Sequence, residues 1–280
     1  MESTLPMPDT LTSSCPNLHT QFDSGILYVS LNAPELGNSL SWAMLTALDE
    51  LLQRIALDES VRVVVLRGTG NDFSRGLDLQ DFSRVLSEDV PRARTALDSL
   101  HQWRSRKLRQ LPQPVMAWVQ GACHGAAVRL IEGCDIVLAA DDAEFIYTAA
   151  DAPLLARHPA CVPGPDWMAA DTLSRWNDNG HALSAPEAAR VGLITQVCSR
   201  DDLATEVQAL AQSFLEKDRL ALQFTKETVA HVGTMSWDAA VNYTAAKFAE
   251  LKSLQAGSSS ARASGISSFL AGKSKPGLKG

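Results

Sequence analysis

Two glycine-containing turns carry the residue pattern that most directly suggests chemistry. The first lies in NDFSRGLDLQDF, residues 71–82, and the second in PVMAWVQGACHGAAVRLIEGCD, residues 114–135. Each segment reads as a short apolar strand that breaks at small residues and restarts as a helix. The first N–H groups of a helix have no partner within it, so two such turns facing one space can hold an oxygen that carries negative charge.

The small residues of both turns suit a close approach of a ligand to the main chain. Gly76 can adopt a positive φ angle, which would turn the amide of Leu77 outward. In the second turn, Gly125 and Ala126 leave room for a ligand beside the chain. A plain strand-to-helix turn with no ligand remains the alternative for the first segment.

The preceding residues indicate a sheet that would position these turns. A hairpin is predicted from LHTQF and GILYVSLNA with its turn at residues 23–25, followed by a helix that Ser39 or Ser41 caps and that ends near Ala56. The run VRVVVLRG, residues 61–68, reads as a strand covered on both faces. This βαβ order predicts an α/β fold with parallel strands.

The rest of the chain also alternates between predicted helices, loops and strands. Residues 83–111 are predicted to form a basic helical region, and residues 148–167, with four prolines, are predicted to form a loop. Ser184 and Glu187 are spaced as a capping box. From Asp218 the chain is predicted to be helical, with a break near Gly233. We expect a disordered leader at 1–17, a core at 18–200 and a helical region at 201–280.

Composition excludes several classes of function. The chain has 280 residues, 45% of them hydrophobic, and a net charge of -7. Nucleic acid is not an expected partner at this charge, and no apolar run is long enough to span a membrane. Five scattered cysteines without CxxC spacing predict buried free thiols in a reducing cytoplasm. Neither a dinucleotide nor a nucleotide-triphosphate motif is present.

Three motifs in order resemble the crotonase, or enoyl-CoA hydratase/isomerase, superfamily. They are FSRGLDLQDF, VQGACHGAAVRLIEGCDIVLAADDAEF and LSAPEAARVGLITQV. The resemblance implies an α/β spiral of ββα units with a helical C-terminal region that trimerises, often as a hexamer, and a coenzyme A thioester ligand with no permanently bound cofactor. The segments HQWRSRKLRQLPQPVMAWVQG and MSWDAAVNYTAAKFAELK are also similar to hydroxycinnamoyl-CoA hydratase-lyases.

The resemblance assigns roles to individual positions. It places the oxyanion hole at the backbone N–H groups of Leu77 and Ala126. It implies coenzyme A thioester contacts at Ser74, Gly76, Asp78, Leu79 and Gly125.

The same comparison shows departures from the family pattern. Arg129 and Ala149 stand where hydratases carry their two catalytic glutamates, so standard two-glutamate hydration is not expected. Of two lyase tyrosines, only Tyr243 has an equivalent, since Ala245 replaces the other. A lysine that contacts the adenine end of coenzyme A is replaced by Gln80.

Other side chains could supply the missing proton transfers. Each candidate also has a structural alternative. Asp151 and His158 could simply be exposed to solvent, and Tyr147 and Tyr243 could serve only in packing. His124 could point away from the two amides, and Glu132 could form an ion pair with Arg129. The candidate catalytic side chains are Asp151, His124, Tyr243 and the cation Arg129.

Three functions fit the sequence. The first is a cytosolic acyl-CoA enzyme that stabilises an enolate and acts as an isomerase, hydrolase or C–C lyase. The second is a catalytically silent acyl-CoA-binding or scaffold protein. The third is a hydrolase of cyclic diketones that does not use coenzyme A.

Overall fold

The computed structural model describes residues 11–88, 91, 107–146 and 182–255. A six-stranded sheet forms the centre, in the order β1-β2-β3-β4-β6-β9. Its strands are β1 Leu18–Asp23, β2 Ile26–Leu31, β3 Val63–Gly68, β4 Val115–Val119, β6 Ile136–Ala140 and β9 Gln196–Cys198. Only the β1–β2 pair is antiparallel among these strands, and the other neighbours are parallel. The α/β class predicted from the βαβ order is confirmed.

Local sequence signals set the first elements. Ser24 and Gly25 have φ angles of 50° and 99°, which make the tight turn of the predicted hairpin. Helix α1 spans Trp42–Leu57 and begins at Ser41, whose hydroxyl accepts a hydrogen bond from the Met44 amide. Its apolar face is buried, as its helical spacing predicts.

A second, three-stranded sheet lies beside the two special turns. It contains β5 Ala122–His124, β7 Glu144–Ile146 and β8 Leu183–Ser184, in the order β5-β7-β8. Single bridges extend it, from Ser74 to Cys123 and from Leu40 to Leu77. The sequence predicts a helix directly after the second turn and misses β5, because three residues between two glycines carry no strand periodicity of their own.

The helices have the following bounds. They are α1 as given, α2 Leu79–Glu88, α3 Ala126–Glu132, α4 Ala185–Arg190, α5 Leu203–Leu215, α6 Arg219–Val232 and α7 Trp237–Gln255. The capping box of α4, between Ser184 and Glu187, forms as predicted.

The central sheet is buried on both faces. One face packs with α1 and α3 in a large apolar cluster. On the other, α5 places Leu203, Val207 and Ala211 against strand residues such as Val65 and Leu138. A fully buried leucine or valine side chain contributes roughly 1.5–3 kcal/mol to folding.

Residues 11–17 correct the expectation of a disordered leader. Leu11 is completely buried and Cys15 nearly so, and both belong to the large apolar cluster. Ser14 also donates a hydrogen bond to Glu50 of α1. The segment is ordered because a few apolar residues among Ser, Thr and Pro are enough to anchor it. Residues 1–10 lie outside the described part of the chain.

The chain divides into two compact units between Glu216 and Lys217. Helix α5 therefore lies in the unit that contains the sheet, whereas the sequence predicts that the helical C-terminal region begins at residue 201. In the second unit α6 packs against α7, and Gly233 ends α6 as predicted. Within the described residues, no helix combines the length and apolar character needed to cross a membrane.

Candidate functional site

Asn38 organises the main chain that leads to the first turn. Its side chain is fully buried and holds three backbone groups: it accepts from the Ala33 N–H at 2.9 Å and donates to the carbonyls of Thr69 and Asp72 at 2.8 Å each. Its φ angle of 52° is one that asparagine tolerates better than most residues. Sequence patterns assign Asn38 only to a loop, because its two carbonyl acceptors lie 31 and 34 residues away along the chain.

The bridge between Leu40 and Leu77 fixes the direction of the Leu77 amide. Leu40 donates to the Gly76 carbonyl at 2.7 Å, and Asp78 donates to the Leu40 carbonyl at 3.0 Å. Successive backbone groups of an extended chain point to opposite sides, so the N–H of Leu77 points away from Leu40. Gly76 makes this path possible with a φ angle of 92°, and the Ser74 hydroxyl accepts its N–H at 3.2 Å.

The second turn is fastened to the first. Asp72 accepts from the Ala122 N–H at 3.0 Å, and His124 donates to the Ser74 carbonyl at 2.9 Å. Gly125 then donates to Ile146 of β7 and adopts φ 53° and ψ -118°, which only glycine reaches without strain. Ala126 follows as the first residue of α3, where an N–H has no carbonyl acceptor within the helix.

The two turns meet at Gly76. A Cβ atom placed on Gly76 would lie 2.9 Å from the His124 carbonyl oxygen and 3.6 Å from the Ala126 nitrogen. Among the described residues, no acceptor takes the N–H of Leu77 or of Ala126. The turn before Leu77 therefore lies against the start of α3, and the oxyanion hole at the N–H groups of Leu77 and Ala126 stays a prediction.

Arg129 and Glu132 form an ion pair one turn further along α3. Arg129 Nη1 lies 3.1 Å from Glu132 Oε2, and the side chains are only 14% and 4% exposed. This confirms the predicted pairing of the two residues. It also places a permanent cation, which cannot act as a base, near the start of the helix that carries Ala126.

Two further side chains of β5 flank the turn. The imidazole Nε2 of His124 lies 3.7 Å from Glu144 Oε1 on the neighbouring strand. Cys123 is fully buried, and this burial raises the pKa of its thiol well above the ordinary value, with Cys134 and Glu132 acting in the same direction. The Cys123 thiol therefore stays protonated at neutral pH and is not activated as a nucleophile.

Asp78 begins α2. Its carboxylate accepts the N–H groups of Gln80 and Asp81 at 3.1 and 3.0 Å, the pattern of a helix N-cap. Leu79 is half exposed and Gln80 is exposed. The observed role of Asp78 is therefore to cap a helix. The ligand contacts predicted for Asp78 and Leu79 stay predictions.

Tyr243 lies on α7 in the C-terminal unit. Its hydroxyl donates to Glu227 Oε1 at 3.4 Å, and Lys247 Nζ lies 2.7 Å from the same oxygen. Burial and the charge of Glu227 raise the pKa of the Tyr243 hydroxyl, so it stays protonated.

Four other positions singled out in the sequence lie outside the described residues. They are Tyr147, Ala149, Asp151 and His158.

No candidate metal centre is present among the cysteines and other metal-ligating side chains of the described residues. Disulfides are absent at the four described cysteines, Cys15, Cys123, Cys134 and Cys198, and Cys161 lies outside these ranges. No group of three or more His, Cys, Asp or Glu side chains within 11–88, 107–146 and 182–255 could hold a metal ion.

Comparison with known proteins decides the family. Residues 21–278 match the sequence profile described as enoyl-CoA hydratase/isomerase. The chain belongs to the enoyl-CoA hydratase/isomerase family. This finding confirms the superfamily that the three motifs indicated.

Relatives within the enoyl-CoA hydratase/isomerase family have several activities. The chain is 30% identical to the 1,2-epoxyphenylacetyl-CoA isomerase of Escherichia coli (strain K12), over 90% of this chain and 94% of the relative. It is 26% identical to the hydroxycinnamoyl-CoA hydratase-lyase of Pseudomonas fluorescens, over 92% and 94%. The fold is similar to the enoyl-CoA hydratase of Bacillus anthracis, with a TM-score of 0.79 at 23% identity, over 93% of this chain and 98% of that structure.

Proposed function

We propose that the protein is a cytosolic enzyme that stabilises the enolate of an acyl-CoA thioester in an oxyanion hole made by the N–H groups of Leu77 and Ala126. The observation that carries the proposal is the close approach of the Gly76 turn, directly before Leu77, to the Ala126 nitrogen, with no described acceptor for the N–H of either Leu77 or Ala126. Family membership and the coenzyme A thioesters in the relatives' names support the substrate class.

The reaction follows from which groups can move protons. A thioester carbonyl oxygen becomes negative when the α carbon loses a proton or a carbon substituent, and fixed donors stabilise that charge. Arg129 cannot remove the proton, because a guanidinium stays protonated at any physiological pH. We therefore assign isomerase, hydrolase or C–C lyase chemistry rather than two-glutamate hydration.

A panel of thioesters tests this proposal. Crotonyl-CoA should not be hydrated rapidly, and feruloyl-CoA should not be cleaved by the standard route. Exchange of α hydrogens for deuterium, followed by NMR in D₂O on several acyl-CoA compounds, should reveal an enolate. Rapid hydration of crotonyl-CoA would contradict the role given to Arg129.

The silent acyl-CoA-binding protein is the main rival. The shielded Arg129–Glu132 pair favours it, because it offers neither a free base nor a free acid at that position. Binding of thioesters in a calorimeter without exchange or turnover would select this rival. Failure of every thioester to bind would instead leave the cyclic diketone hydrolase, which the exposed Gln80 permits.

The protein is also proposed to assemble as a homotrimer or a hexamer. Three large apolar side chains of α7, at Trp237, Val241 and Phe248, are 82%, 50% and 55% exposed. They stand four and seven residues apart, which puts them on one side of the helix. A chain that presents such a stripe to water gains from covering it with another copy.

A further inference from the structure

The loop that leads from β3 to the first turn, residues 68–72, is held along its whole length. Each of its carbonyls accepts a hydrogen bond from a side chain elsewhere in the protein. The pairs are Gln120 with Gly68 and Gly70 at 2.8 and 3.4 Å, Asn38 with Thr69 and Asp72 at 2.8 Å each, and Arg200 with Asn71 at 3.1 Å. A loop held in this way has little freedom to shift, so it can fix the position of the residues that follow it.

Asp72 ends this loop, and its side chain bonds to the second turn. The carboxylate oxygen Oδ1 accepts the Ala122 N–H at 3.0 Å, and Oδ2 accepts from Arg75 Nε at 2.9 Å. Ala122 is the first residue of β5, and the last residue of that strand directly precedes Gly125 and Ala126. Because Asp72 itself belongs to the segment of the first turn, its carboxylate joins the two turns.

Gly121 allows the two segments to approach this closely. A Cβ atom added to Gly121 would lie 2.2 Å from the Asn71 carbonyl oxygen and 2.7 Å from Asp72 Oδ1. A side chain at this position would therefore push the carboxylate away from the Ala122 N–H.

The ion pair with Arg75 orients the carboxylate. The Arg75 side chain is 63% exposed and that of Asp72 is 17% exposed, and an ion pair with so exposed a partner adds little to stability. It does fix the position of Oδ2, which leaves Oδ1 directed at the Ala122 N–H. The pair therefore fits a role in setting geometry better than a role in stability.

We infer that Asp72 is a positioning residue, which acts through Ala122 to set the separation of the Leu77 and Ala126 N–H groups and does not itself touch the substrate. This inference rests on the proposed function and adds to it the side chain that adjusts the oxyanion hole. Donors stabilise a developing charge only when they are held at the right distance from it.

Backbone bonds keep the turns together without Asp72. Ser74 donates to the Ala122 carbonyl, and His124 donates to the Ser74 carbonyl, at 2.9 Å each. Variants at Asp72 should therefore fold, with a displaced second turn rather than a lost one.

The test compares an enolate with a neutral thioester on the full-length protein. Acetoacetyl-CoA ionises to an enolate with its own ultraviolet absorption, whereas butyryl-CoA stays neutral. Asp72→Ala should bind the enolate about tenfold more weakly than the wild type does, a loss of about 1.4 kcal/mol. Its affinity for butyryl-CoA, measured by calorimetry, should change by at most about twofold, because the donors matter most where the oxygen carries charge.

A double variant separates positioning from folding. Asparagine offers one acceptor oxygen, for which Ala122 and Arg75 compete in Asp72→Asn, so this variant should show part of the loss. Asp72→Asn/Arg75→Met frees that oxygen for the Ala122 N–H and should restore enolate binding to within about twofold of the wild type. Asp58→Ala is the matched control, because Asp58 also accepts a backbone N–H, that of Ser60 at 2.9 Å, at the end of α1. It should leave enolate binding unchanged.

Each outcome decides the matter. Equal losses of enolate and butyryl-CoA binding in Asp72→Ala would indicate a purely structural role and overturn the inference. An unchanged enolate affinity in Asp72→Ala, or a double variant as weak as Asp72→Ala, would overturn it as well. In these cases the wild type still binds the enolate, and the proposed function stands. A wild type that binds no enolate of acetoacetyl-CoA would overturn the proposed function and the inference together.

Discussion

Glu132 and Arg129 are two charges that sit almost entirely away from water. Removal of one partner from such a pair takes a close opposite charge away from a group that its surroundings solvate poorly. The stability of the protein is therefore more sensitive to single substitutions here than to the removal of the whole pair.

Glu132→Gln should lower the free energy of unfolding by about 3–5 kcal/mol, the usual cost of breaking a buried ion pair. The double variant Arg129→Met/Glu132→Met should recover most of that loss. Urea unfolding followed by circular dichroism measures both.

The exposed pair of Arg84 and Glu88 provides the control. Both side chains are more than half exposed, so Glu88→Gln should leave the urea midpoint within error. If Glu132→Gln behaved like Glu88→Gln, the pair would not be the shielded interaction described above.

Gly76 shows what the first turn requires of its sequence. Its φ angle of 92° and the 2.9 Å approach to the His124 carbonyl oxygen leave no room for a side chain. Gly76→Ala should destabilise the protein by about 1–3 kcal/mol through backbone strain. It should also lower the rate of any thioester reaction by on the order of 10²-fold, as expected when an oxyanion donor is displaced.

Gly233 is the matched control for that substitution. It has a helical conformation and no heavy atom within 4 Å of an added Cβ. Gly233→Ala should therefore be neutral or stabilise the chain by about 0.4–1 kcal/mol. Similar losses at both positions, measured by thermal unfolding, would contradict the claim that Gly76 is specifically constrained.

At the scale of helices, Asp78 acts through the start of α2. Asp78→Ala should cost about 1 kcal/mol of stability, because two amides at the helix start lose their acceptor. Asp78→Asn should retain nearly all of it, since asparagine caps helices as well as aspartate does. A large loss in Asp78→Asn would show that the charge matters more than the cap.

The sequence predicts those elements whose cause is local. The hairpin turn, the Ser41 cap, the capping box at Ser184 and the glycine turns all depend on residues within a few positions. Strand β5 and the buried Asn38 depend on partners far along the chain, so periodicity could not reveal them. Arg129 and Glu132 were predicted as a pair from their spacing, but the depth at which they lie follows only from the packing of α3.

For the whole molecule, α7 presents the feature that bears on assembly. Val241→Glu/Phe248→Glu would place two carboxylates in the stripe formed with Trp237, where an apolar interface could not solvate them. The wild type should have a mass three or six times that of the 30.2 kDa chain by light scattering after size-exclusion chromatography. The double variant should shift to smaller species, while Ala246→Glu, exposed on another side of α7, should not. A monomeric wild type, or an unchanged mass in the double variant, would show that this stripe does not hold an oligomer together.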